Sequence, residues 1–598
     1  MATSPIGLYR RLNGKIYGRA VHEPHALGEH LVSDYPYDLG EHGYPVTTRS
    51  TEAQLWFDRG LLWAYSFNHD EAVGCFEVAA EHDPECAMAH WGMAYAAGPN
   101  YNKPWRLFDD RDRAATLKYA REALERAQSL AANATPVERA LIEALAHRFP
   151  GPADGEDIPE PTLLDRAYAD ALRTAHQEHP DDLDLTALFS EALLCVSPRA
   201  LWCDSGEPSG EHVVEAREVL EGVLAHPEAR RHPALNHMYI HLMDMSPWPE
   251  LALPAADALR NAVPDGSHMA HMSTHIDAAC GDYRNTIASN RHAATVDDTY
   301  FARERPVGRY FSYRAHNIRF LAYGAMMAGR SRDALWAAHR LNEIVTPEIL
   351  EVTSPPMADL AESYRTTLPH VLIRFGRWEE ILDLELPEDQ ELFASTTAMT
   401  HYSRAIALSA LGRITEAEAA RDAFEAARAA VPETRFSSLP AKEVEVLEVA
   451  TAMLEGELQY RKGDFDTAFA ALRRAIEVED SLPYTDPPAW LLPARHPYGA
   501  LLLEQGHVEE AAAAYRADLR MDQSLTRWRA HPGNVWALHG YHECLTQLGR
   551  HDEARQLAVQ RDIAVGAADI EIGASCFCRL SAFDEEAPSC CGGTTAAG

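Results

Sequence analysis

The sequence predicts an all-α chain, an α-solenoid of helix-turn-helix repeats, on three observations. At 598 residues the chain exceeds the roughly 250–300 residues that one hydrophobic core supports, whereas a repeat array needs no single core. Apolar residues recur at helical spacing along most of the chain, and no alternating pattern of a β-sheet stands out. A signature of small, aromatic and turn residues also returns at several places. Between residues 53 and 84, Trp56, Gly60, Ala72, Phe76, Ala80 and Pro84 fall at the positions that mark a tetratricopeptide repeat of about 34 residues.

Taken in order, residues 1–50 read as an N-terminal extension and 51–102 as the first tetratricopeptide-like repeats. Residues 103–217 keep the helical spacing but lose the signature, and the acidic Pro/Gly stretch 150–161 is a loop. Residues 218–425 are the central repeats, with Gly329 and Gly412 each followed five residues later by alanine. Residues 426–570 hold further copies at 463–475, 499–519 and 536–554, separated by Pro-rich connections at 432–440 and 481–497. A cysteine-containing tail, 571–598, lacks helical periodicity.

Composition excludes several roles. With 54 Lys and Arg against 90 Asp and Glu, the net charge of -36 repels nucleic acid and anionic membranes. No apolar run is long enough for a bilayer-spanning helix and no secretory signal opens the chain, so the expected compartment is the cytoplasm. There the ten cysteines are expected as thiols.

The informative segment is 232–283, which predicts three helices: one around residues 237–245, one over 249–262 and one opened by Asp265, Gly266 and Ser267 and closed at Gly281. His237 and His241 are spaced i, i+4, and His268, His271 and His275 are spaced i, i+3, i+7, so each set shares a helix face. The repeat length of 34 residues separates His237 from His271 and His241 from His275. Equivalent helices of neighbouring repeats lie roughly 8–10 Å apart, and the spacing therefore sets His237 against His271 and His241 against His275. Imidazoles so placed can share an ion, since zinc, copper and iron all take histidine nitrogen, at about 2.0–2.1 Å for zinc.

If the turn glycine is place fifteen of a repeat, His268, His271 and His275 stand at places two, five and nine before Gly281. His316 stands at place two before Gly329, His370 at place nine before Gly376 and His496 at place five before Gly506. What is known of such repeats implies that these places line the concave face. Interleaved methionines at 238, 243, 245, 269 and 272 suit copper, although methionine at helical spacing more often fills a core. Cys576 and Cys578, in a Cys-Phe-Cys arrangement, complete the site if the tail folds back into the groove; Cys590 and Cys591 are a weaker signal.

Together with PVTTRSTEAQLWFDRGL, FNHDEA, HWGMAYAAGPNYNKPW, AHNIRFL and ASCFCR, the histidine segments resemble a widespread group of bacterial tetratricopeptide proteins. The resemblance covers nearly the whole chain and implies the repeat fold, with no activity attached. HMSTH departs from the group's HMP-type segment but keeps its histidines. His69 and His90 stand in group landmarks and are further candidates for the groove.

Three functions are open at this point. One is a metal-dependent oxidoreductase in which groove histidines bind copper or iron, zinc being possible, and act on a small-molecule substrate, with Asp244, Asp277 and Tyr239 tuning ligands. The second is a scaffold that binds a protein or peptide in the concave groove, and the third a metal carrier or sensor. No triad, phosphate loop or His-Glu-x-x-His motif is present.

Overall fold

The computed structural model describes residues 35–150, 160–306 and 308–583; Cys590, Cys591 and most of the 150–161 loop lie outside them. The fold is an all-α solenoid built from successive antiparallel helix pairs. Thr51–Tyr65 pairs with His69–His82, Ser267–Ala279 with Tyr283–Glu304, Arg309–Met327 with Ser331–Ile344, and Glu443–Lys462 with Phe465–Ser481. Val535–Gln547 and His551–Ala567 form the last described pair.

Local sequence accounts for the pairs. At the turn after Ser267–Ala279, Gly281 takes φ +83°, a conformation open to glycine at little cost, and Asp282 accepts a hydrogen bond from the Asn285 backbone N–H to start the next helix. A Cβ at Gly281 would also stand 2.5 Å from the Pro532 carbonyl oxygen, so glycine is required there twice over. Packing between pairs depends on small residues facing one large one. The Phe76 ring sits between Gly60 and Gly92, where an added Cβ would lie 2.7 and 2.5 Å from it, and Tyr515 sits likewise between Gly499 and Gly540. Burying one such ring completely contributes about 1.5–3 kcal/mol.

The apolar interior divides into two large clusters, and the division falls within Ser267–Ala279. Met269, Met272 and Ile276 belong to the N-terminal cluster, and Ala278 begins the C-terminal one. The histidine segment thus lies at the seam of the molecule. The methionines at 238, 243, 245, 269 and 272 are all core residues.

Some expectations change in detail. The first helix of the histidine segment is Pro233–Met243, the second is a 3-10 turn, Pro249–Ala252, running into Leu253–Leu259, and the third is Ser267–Ala279. A two-stranded antiparallel ribbon, Phe436–Ser438 with Ala441–Lys442, begins in the connection at 432–440 and runs just past it, where no β-structure was expected. Residues 35–50 form no helix but pack on the first repeat, with Tyr35 edge-on to Trp56 and Tyr37 edge-on to Trp63. Among the described residues no helix is long and apolar enough to cross a membrane.

Candidate metal centre

Six buried or nearly buried histidines meet at the seam in two groups of three. His237 and His241, from Pro233–Met243, meet His268 of the next first-of-pair helix. His271 and His275, from Ser267–Ala279, meet His316 of Arg309–Met327. In each group the three ligand nitrogens lie within 4.8 Å of one another. The groups adjoin: ring centroids are 5.8 Å apart for His268 and His271 and 6.2 Å for His241 and His275.

The pairing set by the 34-residue spacing is therefore corrected. His241 and His275 do approach, but His237 packs against His268, with ring centroids 5.0 Å apart, and each group joins places five and nine of one repeat to place two of the next. Successive helices are staggered along their axes, and side chains lean toward the helix N-terminus. The array also has definite ends. Place two of the first histidine helix is Ala234, and places five and nine of the third are Arg319 and Tyr323.

Hydrogen bonds fix which nitrogens face inward. His237 Nδ1 donates to the Tyr65 carbonyl oxygen at 2.9 Å, which leaves Nε2 bare at 3.0 Å from His241 Nε2. Asn290 donates through Nδ2 to the Thr286 carbonyl oxygen and to Thr274 Oγ1, so its Oδ1 accepts from His271 Nδ1 at 2.7 Å. His275 Nδ1 lies 2.7 Å from Asp486 Oδ2 and 3.4 Å from Asp244 Oδ2. The N–H is not aimed squarely at either oxygen, but an approach of 2.7 Å requires a proton on Nδ1. The Nε2 lone pair of His271 consequently faces His275 Nε2 at 2.9 Å and His316 Nε2 at 3.0 Å. Three ring nitrogens crowd one point, where either N–H groups of His275 and His316 compete for the single His271 lone pair or an ion takes it.

Burial, reinforced by the neighbouring rings, pushes His241, His268, His271 and His316 well below the usual imidazole range, and burial takes His237 down to about 3. These rings are neutral bases, the form that coordinates metal. His275 differs: burial alone would depress it, but Asp486 and Asp244 outweigh burial and raise it to about 9. Aromatic rings close the surroundings. Phe67 stacks on His241 and His268, and Tyr101 lies 4.4 Å from His241. Phe67 holds this position with φ 55°, a left-handed conformation uncommon for a bulky residue and concentrated at functional sites.

The other sequence candidates lie elsewhere. His69 begins His69–His82 and lines a recess beside the cluster. His90 is partly exposed, its Nε2 at 3.3 Å from the Pro84 carbonyl oxygen. His370 packs edge-on against Trp490. His496 accepts from Arg374 at Nδ1 and donates through Nε2 to Asp518 at 2.9 Å, a satisfied interior histidine. Cys576 and Cys578 are bonded to each other, and the tail packs on both the central and the C-terminal repeats: Phe577 covers Gly376, Arg374 donates to the Ser575 carbonyl oxygen, and Ser575 donates to the His496 carbonyl oxygen. They are neither free thiols nor members of a histidine group. Of the three tuning residues, only Asp244 reaches the cluster. Asp277 pairs with Arg260 at 2.8 Å, and Tyr239 donates to Glu221.

Sequence reasoning missed Asn290 and Asp486. Asn290 lies fully buried inside the helix Tyr283–Glu304, where asparagine runs against helix preference. Sequence reasoning also missed a third group, His42, Asp184 and His232. There Asp184 Oδ1 accepts from Tyr65 OH at 2.7 Å and lies 3.0 Å from His42 Nε2. These contacts tie the N-terminal segment to the repeats.

No family model and no curated protein matches this chain. Among solved structures, it aligns with monomeric-mutant IFIT1 carrying m7Gppp-AAAA at 11% identity and TM-score 0.33, and with IFIT1 carrying Gppp-AAAA at 12% and 0.31; each alignment covers 85% of this chain and 96% of the other. It aligns with Naa15/Naa10 bound to HypK-THB at 12% and 0.20, covering 89% of this chain and 73% of that one. Likenesses this distant bear on neither function nor partner.

Proposed function

We propose that the chain is a metalloprotein holding two neighbouring transition-metal ions, one on His237, His241 and His268 and one on His271, His275 and His316, and that the pair serves oxidation of a small molecule. The observation that carries this reading is the His271 Nε2 lone pair, which faces two further ring nitrogens at 2.9 and 3.0 Å. One proton, on His275, satisfies one of those contacts. An ion bound at about 2.1 Å holds two nitrogens roughly 3.3 Å apart, so the rings need open by only a few tenths of an ångström to receive one.

All-imidazole sets suit copper, iron and zinc, and intrinsic affinity peaks at copper. Copper is favoured, with iron and zinc as alternatives: the nearby carboxylates of Asp244 and Asp486 stand behind His275 and not beside its Nε2, which leaves an all-nitrogen set. Loaded with copper or iron, the pair would take electrons from a bound substrate and pass them to dioxygen, the oxidant that this reading requires. The protein's part is to keep five of the imidazoles neutral, to hold His275 so that an ion can displace the proton on its Nε2, to orient the rings through Tyr65, Asn290 and Asp486, and to exclude water with Phe67 and Tyr101.

Burial weighs against the scaffold and carrier readings. The five histidines of the two histidine helices are at most 6% exposed, where a docking peptide does not reach and from which an ion is not readily handed on. The test is elemental analysis and electron paramagnetic resonance after reconstitution with copper, iron or zinc. Two ions per chain are expected, with loss of the second in His271→Ala/His275→Ala. Failure of all three metals to bind in stoichiometric amount overturns the proposal, and oxygen uptake with candidate substrates separates an enzyme from a store.

A further inference from the structure

A recess of about 60 Å3 opens beside the six histidines, where the starts of His69–His82 and Arg309–Met327 meet the segment around Asn100. Its inner wall includes Phe67 and Tyr313, whose rings lie 5.2 and 5.0 Å from that of His268. At one water per roughly 10–15 Å3 of such space, it admits a group of a few heavy atoms.

Its lining is rich in donors without acceptors. Asn68 is 1% exposed; its Oδ1 caps the helix by accepting from the Glu71 N–H, so Nδ2 points elsewhere and has no partner. Arg309 donates through Nη2 to the Asn102 carbonyl oxygen at 3.0 Å, while Nη1 is buried and unpartnered. The Tyr313 hydroxyl, on a residue 9% exposed, lies beside Asn102 without a hydrogen bond of good geometry. The helix Arg309–Met327 begins at Gly308 with no side chain capping its first N–H groups, so the positive end of its dipole is open. Lys103 is paired with Asp112 at 2.7 Å, and Asp70 is the remaining carboxylate of the lining. Among the described residues no carboxylate pairs with Arg309, nor with Arg199, which donates to Asn102 Oδ1.

A guanidinium with one buried, unpartnered nitrogen, a buried amide and an open helix start around one small cavity leave hydrogen-bonding capacity that costs stability unless something accepts it. We propose that this recess binds a small oxyanion, the carboxylate or phosphate group of an anionic substrate, and anchors it on the His268 side of the cluster. Its role as a substrate subsite rests on the metal reading above; its capacity to bind an oxyanion does not. Chloride is a poor substitute, because it lacks the several acceptor atoms that Asn68, Tyr313 and Arg309 can share.

The experiment titrates acetate, oxalate and inorganic phosphate into the full chain by calorimetry, at matched ionic strength in chloride, with metal loaded and with metal removed. Saturable binding of at least one probe is expected in both states, at least tenfold weaker in Arg309→Gln and several-fold weaker in Tyr313→Phe, with helicity and metal content unchanged. Carboxylates binding without phosphate, or the reverse, identifies the source of the oxyanion. Absence of millimolar or tighter binding to the unaltered chain overturns the proposal, as does unaltered affinity in both variants. If Arg309→Gln does not fold, Tyr313→Phe, which keeps the ring, decides alone. A chain that binds the probe but takes up no metal overturns the metal reading and leaves the subsite standing.

Discussion

The Asp486 carboxylate reaches His275 Nδ1 at 2.7 Å from a Pro-rich connection that belongs, in sequence, to the far repeats. Carboxylates behind ligating histidines raise ligand basicity and fix orientation, and their loss typically lowers metal affinity about 10–100-fold. Asp486→Asn is therefore expected to weaken the His271, His275 and His316 ion by that factor and to leave the His237, His241 and His268 ion unchanged. Competition with a chelator of known affinity, read for each ion, checks this; equal weakening of both would contradict it.

Because each group takes one histidine from the following repeat, the two ions are separable. His268→Ala is expected to reduce bound metal from two ions per chain to one, and His316→Ala likewise, while the double variant binds none tightly. Elemental analysis after gel filtration reads the count. A single substitution that abolishes both ions would mean one shared site.

The Phe76 ring fills the space between Gly60 and Gly92. Phe76→Ala is expected to cost about 3–5 kcal/mol, seen as a lower denaturant midpoint for the N-terminal repeats. A loss below about 1 kcal/mol would show that the two helices close over the gap.

Acidification acts through His370, which lies apart from the cluster. Burial, with Arg319 and Arg374 nearby, holds its folded pKa at about 3, against about 6.5 in the unfolded chain. Between those values the unfolded chain binds the extra proton, so this residue's contribution to stability is present above pH 6.5 and is lost as pH falls toward 3. His370→Gln is expected to flatten the decline of stability between pH 6.5 and 4, by up to about 1.4 kcal/mol per pH unit. Urea unfolding of both proteins across that range provides the comparison, and parallel curves would refute it.

The repeats were legible because Gly281, Gly329, Gly376, Gly412, Gly463, Gly506 and Gly549 all adopt positive φ, a requirement that a sequence states openly. So was the shared face of His271 and His275, which follows from four-residue spacing alone. The grouping with His268 and His316 was not, since it depends on the stagger of packed helices, set by side chains along the whole contact. Asp486 and Asn290 were hidden for another reason: each acts on a ring from outside the histidine helices, and no local period links them to it. The thiols of Cys576 and Cys578 misled because short spacing suggested a shared ion where the two sulfurs bond to each other.

Each three-nitrogen group spans a repeat boundary, with places five and nine on one side and place two on the other. A tandem duplication of one unit bearing all three histidines would add a complete site in a single genetic event, since the new copy supplies both halves of the boundary it creates. The same arithmetic explains termination: an alanine at place two of the first unit, or an arginine at place five of the last, ends the series. The number of three-nitrogen groups such a chain carries is thus set by how many units are copied, each group arriving whole without the redesign of a pocket.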